Sequence, residues 1–320
     1  MKIVILDAYA TNPGDIPWDG VTKYGQTTIY DRTPPELIAE RIGDADAVIS
    51  SKVVIGRDIF ERCPNLKYIG LLSTGYNVID IQAAKENGVA VCNVPEYSTQ
   101  AVSQMAFALL LEICNLVGMH SEAVYDGAWE KAPDWCFWLA PHTELLNKTM
   151  GIIGFGSIGR CSGHIANAFG MKVLAYARHK RPELETESTH YVDSTEEIFE
   201  KSDVILTACP LTDDTREIIR AENIAKMKDG VIIINIARGG LINEKDLAEA
   251  LNSGKVRGAG VDVASTEPIR HDNALLGAKN CYITPHIAWV PYETRVRMLR
   301  IVSENLGAFA AGHPQNVVNP

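Results

Sequence analysis

The chain is expected to be an α/β protein made of two doubly wound parallel-sheet domains, and three features of its sequence lead there. The first hundred residues alternate short apolar runs with helical patterns, and a second series of the same kind runs from Met150 to Thr284. The second series opens on a glycine-rich turn, Gly154-Phe155-Gly156-Ser157-Ile158-Gly159. Repeated βα units with room for a crossover helix make parallel sheets covered by helices on both faces.

In order along the chain, Ile3–Leu6 reads as a strand, and Pro34-Pro35 opens a helix that runs through Arg41. Ala47–Ile49 is a second strand, Ile59-Phe60 lie on a short helix, and Leu66–Leu72 is a third strand. Ile79–Lys85 is a helix and Val89–Val94 a fourth strand. Val102, Met105, Ala106, Leu109, Ile113, Leu116 and Val117 then recur at spacings of three and four, the pattern of one long helix with a single apolar face. That helix is expected to join the domains. The tract Trp129–Pro141 is aromatic and irregular (Trp135, Phe137, Trp138), which points to a packed connector or a subunit interface rather than an exposed loop. The second series has strands at Gly151–Gly154, Lys172–Tyr176, Val204–Ala208, Val231–Ile236, Gly258–Val263 and Tyr282–Thr284. Tyr292–Phe309 is a last helix with no strand left to serve there, so it should return to the first domain. The boundaries expected are 1–100 plus 289–320 for one domain and 101–288 for the other.

Composition narrows the partners. A net charge of −10 argues against nucleic acid or an anionic membrane as a general partner, so an acidic ligand would need a few placed cations. The seven cysteines are an odd number, scattered and without a CxxC pair, as in a reduced cytoplasmic chain. Met1-Lys2 leads straight into strand-like sequence without a secretory pattern, and the apolar stretch at Phe107–Leu111 is broken by Glu112 and Asn115, so no membrane association is expected. No set of histidines has metal-ligand spacing.

The glycine segment has the strand–turn–helix context that a dinucleotide pyrophosphate requires. Gly154 permits the turn, Gly156 lets backbone approach the phosphates, Gly159 allows close helix–strand packing, and the helix N-terminus faces the anion. An acidic residue that would hold the ribose 2′-hydroxyl of NAD is missing at the end of the next strand. Ala177 stands there, followed by Arg178, His179, Lys180 and Arg181. A cation in place of a carboxylate suits a 2′-phosphate, so NADP(H) is expected over NAD(H), with Arg178 as the contact; a solvated basic loop is the plainer use of this cluster.

Three further polar residues follow strands of the second series: Arg238, Glu267 and His286. In a doubly wound sheet those ends share one edge. An arginine fork clamps a carboxylate, a histidine gives and takes a proton near neutrality, and a glutamate beside it orients the ring. Together they supply what hydride exchange with a 2-keto acid needs. Cys209-Pro210, Thr215 and Asp262 are further candidates for the cofactor rim, with Cys209 read as a small residue beside the cofactor rather than a redox nucleophile.

The chain resembles the D-isomer-specific 2-hydroxyacid dehydrogenases over nearly its full length. The resemblance rests on Ser73-Thr74-Gly75-Tyr76-Asn77-Val78-Ile79-Asp80, Gly151–Gly159, Cys209-Pro210-Leu211-Thr212, Asn235-Ile236-Ala237-Arg238-Gly239-Gly240, the segment Asp262–Pro268, and Thr284-Pro285-His286. Ser98-Thr99 with Ala106–Leu111, and Glu144-Leu145 before Lys148-Thr149, look most like the glycerate dehydrogenase/hydroxypyruvate reductase members. The resemblance implies a flavodoxin-like, discontinuous substrate domain, a Rossmann cofactor domain and a homodimer. It makes Arg238 the carboxylate ligand, His286 the acid/base and Glu267 its partner, with Thr74 and Gly75 meeting substrate and nicotinamide. Gly154, Phe155, Gly156, Ser157, Ile158, Gly159, Cys209, Pro210, Thr215, Ile236, Ala237, Arg238, Asp262 and His286 would line the cofactor. Ala177 departs from the family's usual acidic residue. The expected reaction is reduction of hydroxypyruvate or glyoxylate to D-glycerate or glycolate. D-lactate or phosphoglycerate chemistry, and a non-catalytic dinucleotide-sensing corepressor, are the alternatives.

Overall fold

The computed structural model describes residues 1–320, and the chain divides into two compact units, Met1–Ser98 with Trp289–Pro320, and Thr99–Ala288. The first unit holds β1 (Lys2–Ile5), β2 (Gln26–Ile29), β3 (Ala47–Ser50), β4 (Tyr68–Leu71) and β5 (Ala90–Cys92) in one parallel sheet of order β2-β1-β3-β4-β5. This order is flavodoxin-like, and its reversal point lies between β1 and β3. There the buried Asp7 carboxylate accepts the backbone N–H groups of Ser51 (2.9 Å) and Lys52 (2.7 Å). Strand alternation divides the core: Val4, Val48 and Ile69 face one layer, while Ile3, Ile49 and Tyr68 face the other. Met298, Leu299, Val302 and Leu306 of the Tyr292–Ala310 helix complete that second layer.

The second unit holds β6 (Thr149–Ile153), β7 (Lys172–Tyr176), β8 (Thr189–Tyr191), β9 (Val204–Thr207), β10 (Val231–Asn235), β11 (Val256–Val261) and β12 (Cys281–Ile283), all parallel, in the order β12-β11-β10-β9-β6-β7-β8. The reversal falls between β6 and β9, where a dinucleotide-binding sheet opens its crevice. Every residue of β9 and β10 is buried, as expected of central parallel strands covered on both faces. Helices Thr99–Asn115 and Ser157–Ala168 supply one layer of core against Ile152, Leu206 and Ile234. Ile198, Ile224 and Leu247 belong to the other, against Ile153, Ile205 and Ile233.

Four elements differ from the sequence reading. β2 and β8 were not expected; both are edge strands, and QTTI and THY carry little of the apolar run that marks a central strand. The single long helix is two. Thr99–Asn115 stops, Leu116 takes a left-handed conformation (φ 52°), and Val117–Tyr125 departs at 57°. Apolar spacing continues across that break because Leu116 is still buried, so periodicity alone could not mark it. The aromatic connector is only partly packed within the chain: Phe137 is half-buried beside His120, but Trp135 is 86% and Trp138 71% exposed. No single helix is long and apolar enough to cross a membrane, although the bent pair passes that test when taken together.

Candidate active site

β6 ends at Ile153, and the chain turns at Gly154 with φ +100°, a value that L side chains rarely adopt. The Gly154 N–H donates to the Tyr176 carbonyl (2.9 Å), which ties the turn to the end of β7. A Cβ on Gly154 would lie 2.5 Å from the Cys209 nitrogen, so the turn rests against the chain leaving β9. Gly156 precedes the Ser157–Ala168 helix, which has no capping side chain and no acidic residue in its first turn. Such an end presents amides and partial positive charge to an anion. A Cβ on Gly159 would meet the Gly154 carbonyl oxygen at 2.2 Å, whereas one on Gly156 would meet nothing within 4 Å. The first space is closed by backbone and the second is open, which fits a ligand lying over Gly156. Ser157 and Ile158 form the first helical turn, and the Phe155 ring is buried edge-on to Tyr191, leaving backbone as its contribution to the turn.

At the end of β7, Ala177 packs against the core and Arg178 is exposed, with its guanidinium 3.9 Å from the Asp214 carboxylate. Lys180 pairs with Asp193. After β9, the Thr215 hydroxyl donates to the Pro210 carbonyl (2.8 Å) and accepts from the Thr212 N–H (2.8 Å), so it shapes the 210–215 turn. Burial pushes the Cys209 thiol up to about 11, which leaves little thiolate near neutral pH.

β10 delivers Arg238. Asn235, fully buried at the end of an isoleucine run, accepts from the Ala237 N–H (3.1 Å) and the Thr207 hydroxyl (2.9 Å), and donates to the Arg238 carbonyl (2.9 Å). These bonds hold Ile236, Ala237 and Arg238 in a tight exit from the strand. The exposed end of the Arg238 guanidinium donates to the Ala237 carbonyl (2.7 Å). Gly239 brings this exit against the next one, because a Cβ there would overlap the Ala264 carbonyl carbon at 1.9 Å.

β11 and β12 deliver the acid–base pair. His286 Nδ1 lies 2.7 Å from Glu267 Oε2, and Glu267 Oε1 accepts the Ala264 N–H (3.1 Å). Glu244 supports the same loop, accepting the Ser265 N–H (2.8 Å) and hydroxyl (2.5 Å). His286 itself has φ +55°. Asp262, 1% exposed, holds the backbone around it: its carboxylate accepts the Thr284 hydroxyl (2.6 Å) and the N–H groups of Ile287 and Ala288 (both 2.9 Å).

The structure therefore brings Glu267 and His286 into contact and sets Arg238, through Gly239, against the loop that bears Glu267. All three leave the carboxyl ends of neighbouring strands β10, β11 and β12. Thr74 and Gly75 follow β4 in the other unit, where the Thr74 hydroxyl donates to the Val94 carbonyl (2.7 Å) and the Asn93 amide donates to the Thr74 carbonyl (2.8 Å). Asn235 enters the sequence reading only as part of the Asn235–Gly240 motif, without a role, and Glu244 is not singled out there; a lone Asn closing an isoleucine run is the one available signal. No group of three or more His, Cys, Asp or Glu is placed to hold a metal ion.

Residues 107–288 match the family description "D-isomer specific 2-hydroxyacid dehydrogenase, NAD binding domain". The chain is 55% identical to a hydroxypyruvate reductase of Blautia hydrogenotrophica, with all of both chains covered. It is 37% identical to a glycerate dehydrogenase of Methylorubrum extorquens, over 99% of this chain and 98% of that one. Among solved structures it resembles an acyclic imino acid reductase in complex with NADPH and D-Arg, at 32% identity and a TM-score of 0.86, covering 99% of this chain and all of the other. With the glycine turn, the His286–Glu267 pair and these full-length likenesses, the chain belongs to the D-isomer specific 2-hydroxyacid dehydrogenases.

Proposed function

We propose that the protein reduces small 2-keto acids to D-2-hydroxy acids, with hydroxypyruvate and glyoxylate as its substrates and NADP(H) preferred over NAD(H). The observation that carries this reading is the His286–Glu267 contact on the sheet edge that also bears Arg238 and the glycine turn. The seven-stranded unit would take the dinucleotide, with its pyrophosphate over Gly156 and the Ser157–Ile158 amides and its remainder along Cys209, Pro210, Ile236, Ala237 and Asp262. The bound nicotinamide supplies or accepts the hydride. Arg238 would hold the substrate carboxylate through paired charge-assisted hydrogen bonds. Glu267, facing Nδ1, fixes the ring orientation, so that Nε2 gives the proton to the developing alkoxide or takes it back in the reverse direction. By the family resemblance, Thr74 and Gly75 would meet the substrate.

The preference for NADP(H) rests on Ala177 and Arg178 at the end of β7, where a guanidinium rather than a carboxylate stands. Its likeness to a reductase solved with NADPH supports the same cofactor. Two copies would form a homodimer through the segment Val117–Pro141, whose exposed Tyr125, Trp135 and Trp138 make an aromatic surface suited to an interface core. Seven unpaired thiols suit the reducing cytoplasm.

The test is a panel of hydroxypyruvate, glyoxylate, pyruvate and 3-phosphohydroxypyruvate assayed with NADPH and NADH. Hydroxypyruvate or glyoxylate with NADPH should give the highest kcat/KM. Equal efficiency with NADH would overturn the cofactor assignment. Tight cofactor binding without turnover of any keto acid would favour a sensing role instead. Light scattering of the purified protein should give twice the chain mass.

A further inference from the structure

The seven-stranded sheet has a second recess, at its amino edge. Strands of five or six residues span roughly 17–20 Å, so this recess lies about that far from the glycine turn and from Arg238 and His286. It has a volume of about 680 Å³ and is walled by the segments that enter β6, β9, β10, β11 and β12 together with the last turn of the Glu244–Ser253 helix.

Two carboxylates and three cations line it, and the carboxylates are already neutralised. Asp203 accepts the Thr149 N–H (2.8 Å) and pairs with Lys228 (3.0 Å), and Asp229 pairs with Lys255 (2.8 Å). Lys148, Arg257 and Lys279 line the same space and enter no ion pair with a carboxylate. Arg257 is half-buried and anchored by a hydrogen bond from one terminal nitrogen to the Pro141 carbonyl, so one side of its fork is tied to the protein. The carbonyl end of the Glu244–Ser253 helix also meets this space, but a helix terminus is equivalent to only about half an elementary charge, against three full cations. In a chain of net charge −10, the recess is therefore a local inversion of sign.

We propose that this recess is a binding site for a small multivalent anion, a di- or tricarboxylate or a phosphate-bearing metabolite, held by Lys148, Arg257 and Lys279 away from the catalytic edge. Arg257 offers planar, bidentate recognition, and the two lysines act as point charges around it. The volume admits a molecule larger than a single phosphate, and multiple charge is what engages all three cations at once. The proposal does not depend on which keto acid the enzyme reduces.

Isothermal titration of the full chain with citrate in one arm and inorganic pyrophosphate in the other tests it and separates carboxylate from phosphate recognition. Saturable binding is expected for at least one probe, weakened at least tenfold (about 1.4 kcal/mol) in Lys148→Gln/Lys279→Gln and unchanged in Arg238→Ala. Turnover without either anion should be unaffected by the lysine substitutions. Should the double variant fold poorly, Lys279→Gln alone alters an exposed side chain and is expected to weaken binding about threefold or more. Absence of saturation with both probes overturns the proposal. So does binding that survives the lysine substitutions, or that disappears in Arg238→Ala, since it would then belong to the catalytic edge.

Discussion

Two glycines of the turn after β6 should respond to the same substitution in opposite ways. In Gly156→Ala the new Cβ meets no atom within 4 Å, and the backbone (φ −77°, ψ −160°) is one that alanine adopts readily. Loss of unfolded-state freedom stabilises by about 0.4–1 kcal/mol, while alanine is the poorer residue at a helix N-cap by a similar amount. The two nearly cancel, so the melting temperature should stay within about 2–4 °C of the parent. In Gly159→Ala the Cβ lands 2.2 Å from the Gly154 carbonyl oxygen, which cannot rotate away, so helix and turn must separate by about 1 Å. Overpacking of that kind costs about 1–3 kcal/mol, a fall of roughly 2–12 °C in melting temperature. Cofactor affinity should invert the contrast in cause. Gly156→Ala should lose at least about tenfold in NADPH affinity with its fold intact, because the methyl group occupies the space assigned to the pyrophosphate. Calorimetric melting and NADPH fluorescence titration read the two effects separately. A stable Gly156→Ala with parental affinity would remove the pyrophosphate from this turn, and an unshifted melt for Gly159→Ala would refute the packing argument.

Removing the clamp, Arg238→Ala, should lower kcat/KM for hydroxypyruvate by about 3 kcal/mol, on the order of a hundredfold, and a loss below tenfold would take this residue out of substrate binding. His286→Ala should lower kcat by roughly a hundredfold or more while NADPH affinity holds; collapse of that affinity instead would sink the proton-transfer role. Asp214 faces Arg178 across 3.9 Å and would repel a 2′-phosphate drawn to the same guanidinium. Both side chains are exposed, so a water-like dielectric applies, and Asp214→Asn should lower the KM for NADPH by about fivefold, or about 1 kcal/mol, with little change for NADH. An equal change for both cofactors would show that Asp214 acts on the fold rather than on the phosphate.

What the sequence determined by itself was set by short-range physics. Apolar runs such as VIIIN and AVIS form buried parallel strands here, and Gly154 through its positive φ and Gly159 through its contact with the Gly154 carbonyl impose a turn that few other residues allow. Arg238, Glu267 and His286 could be named because each closely follows such a strand, and parallel strands deliver their carboxyl ends to one edge. Polar edge strands left no comparable trace, so β2 and β8 emerged only where β1 and β7 offered them hydrogen-bonding partners. The break at Leu116 was equally silent, because a left-handed residue can remain apolar and buried. Tertiary structure alone decided how the site is held. Asp262 turned out to hold the Thr284–Ala288 segment with three hydrogen bonds, from the Thr284 hydroxyl and from the Ile287 and Ala288 N–H groups, and Asn235 to accept the Thr207 hydroxyl from β9, since such bonds join residues more than twenty positions apart that no sequence spacing relates. The amino-edge recess is also a product of folding: Lys148, Arg257 and Lys279 lie far apart in the chain and share one space because five strands begin there.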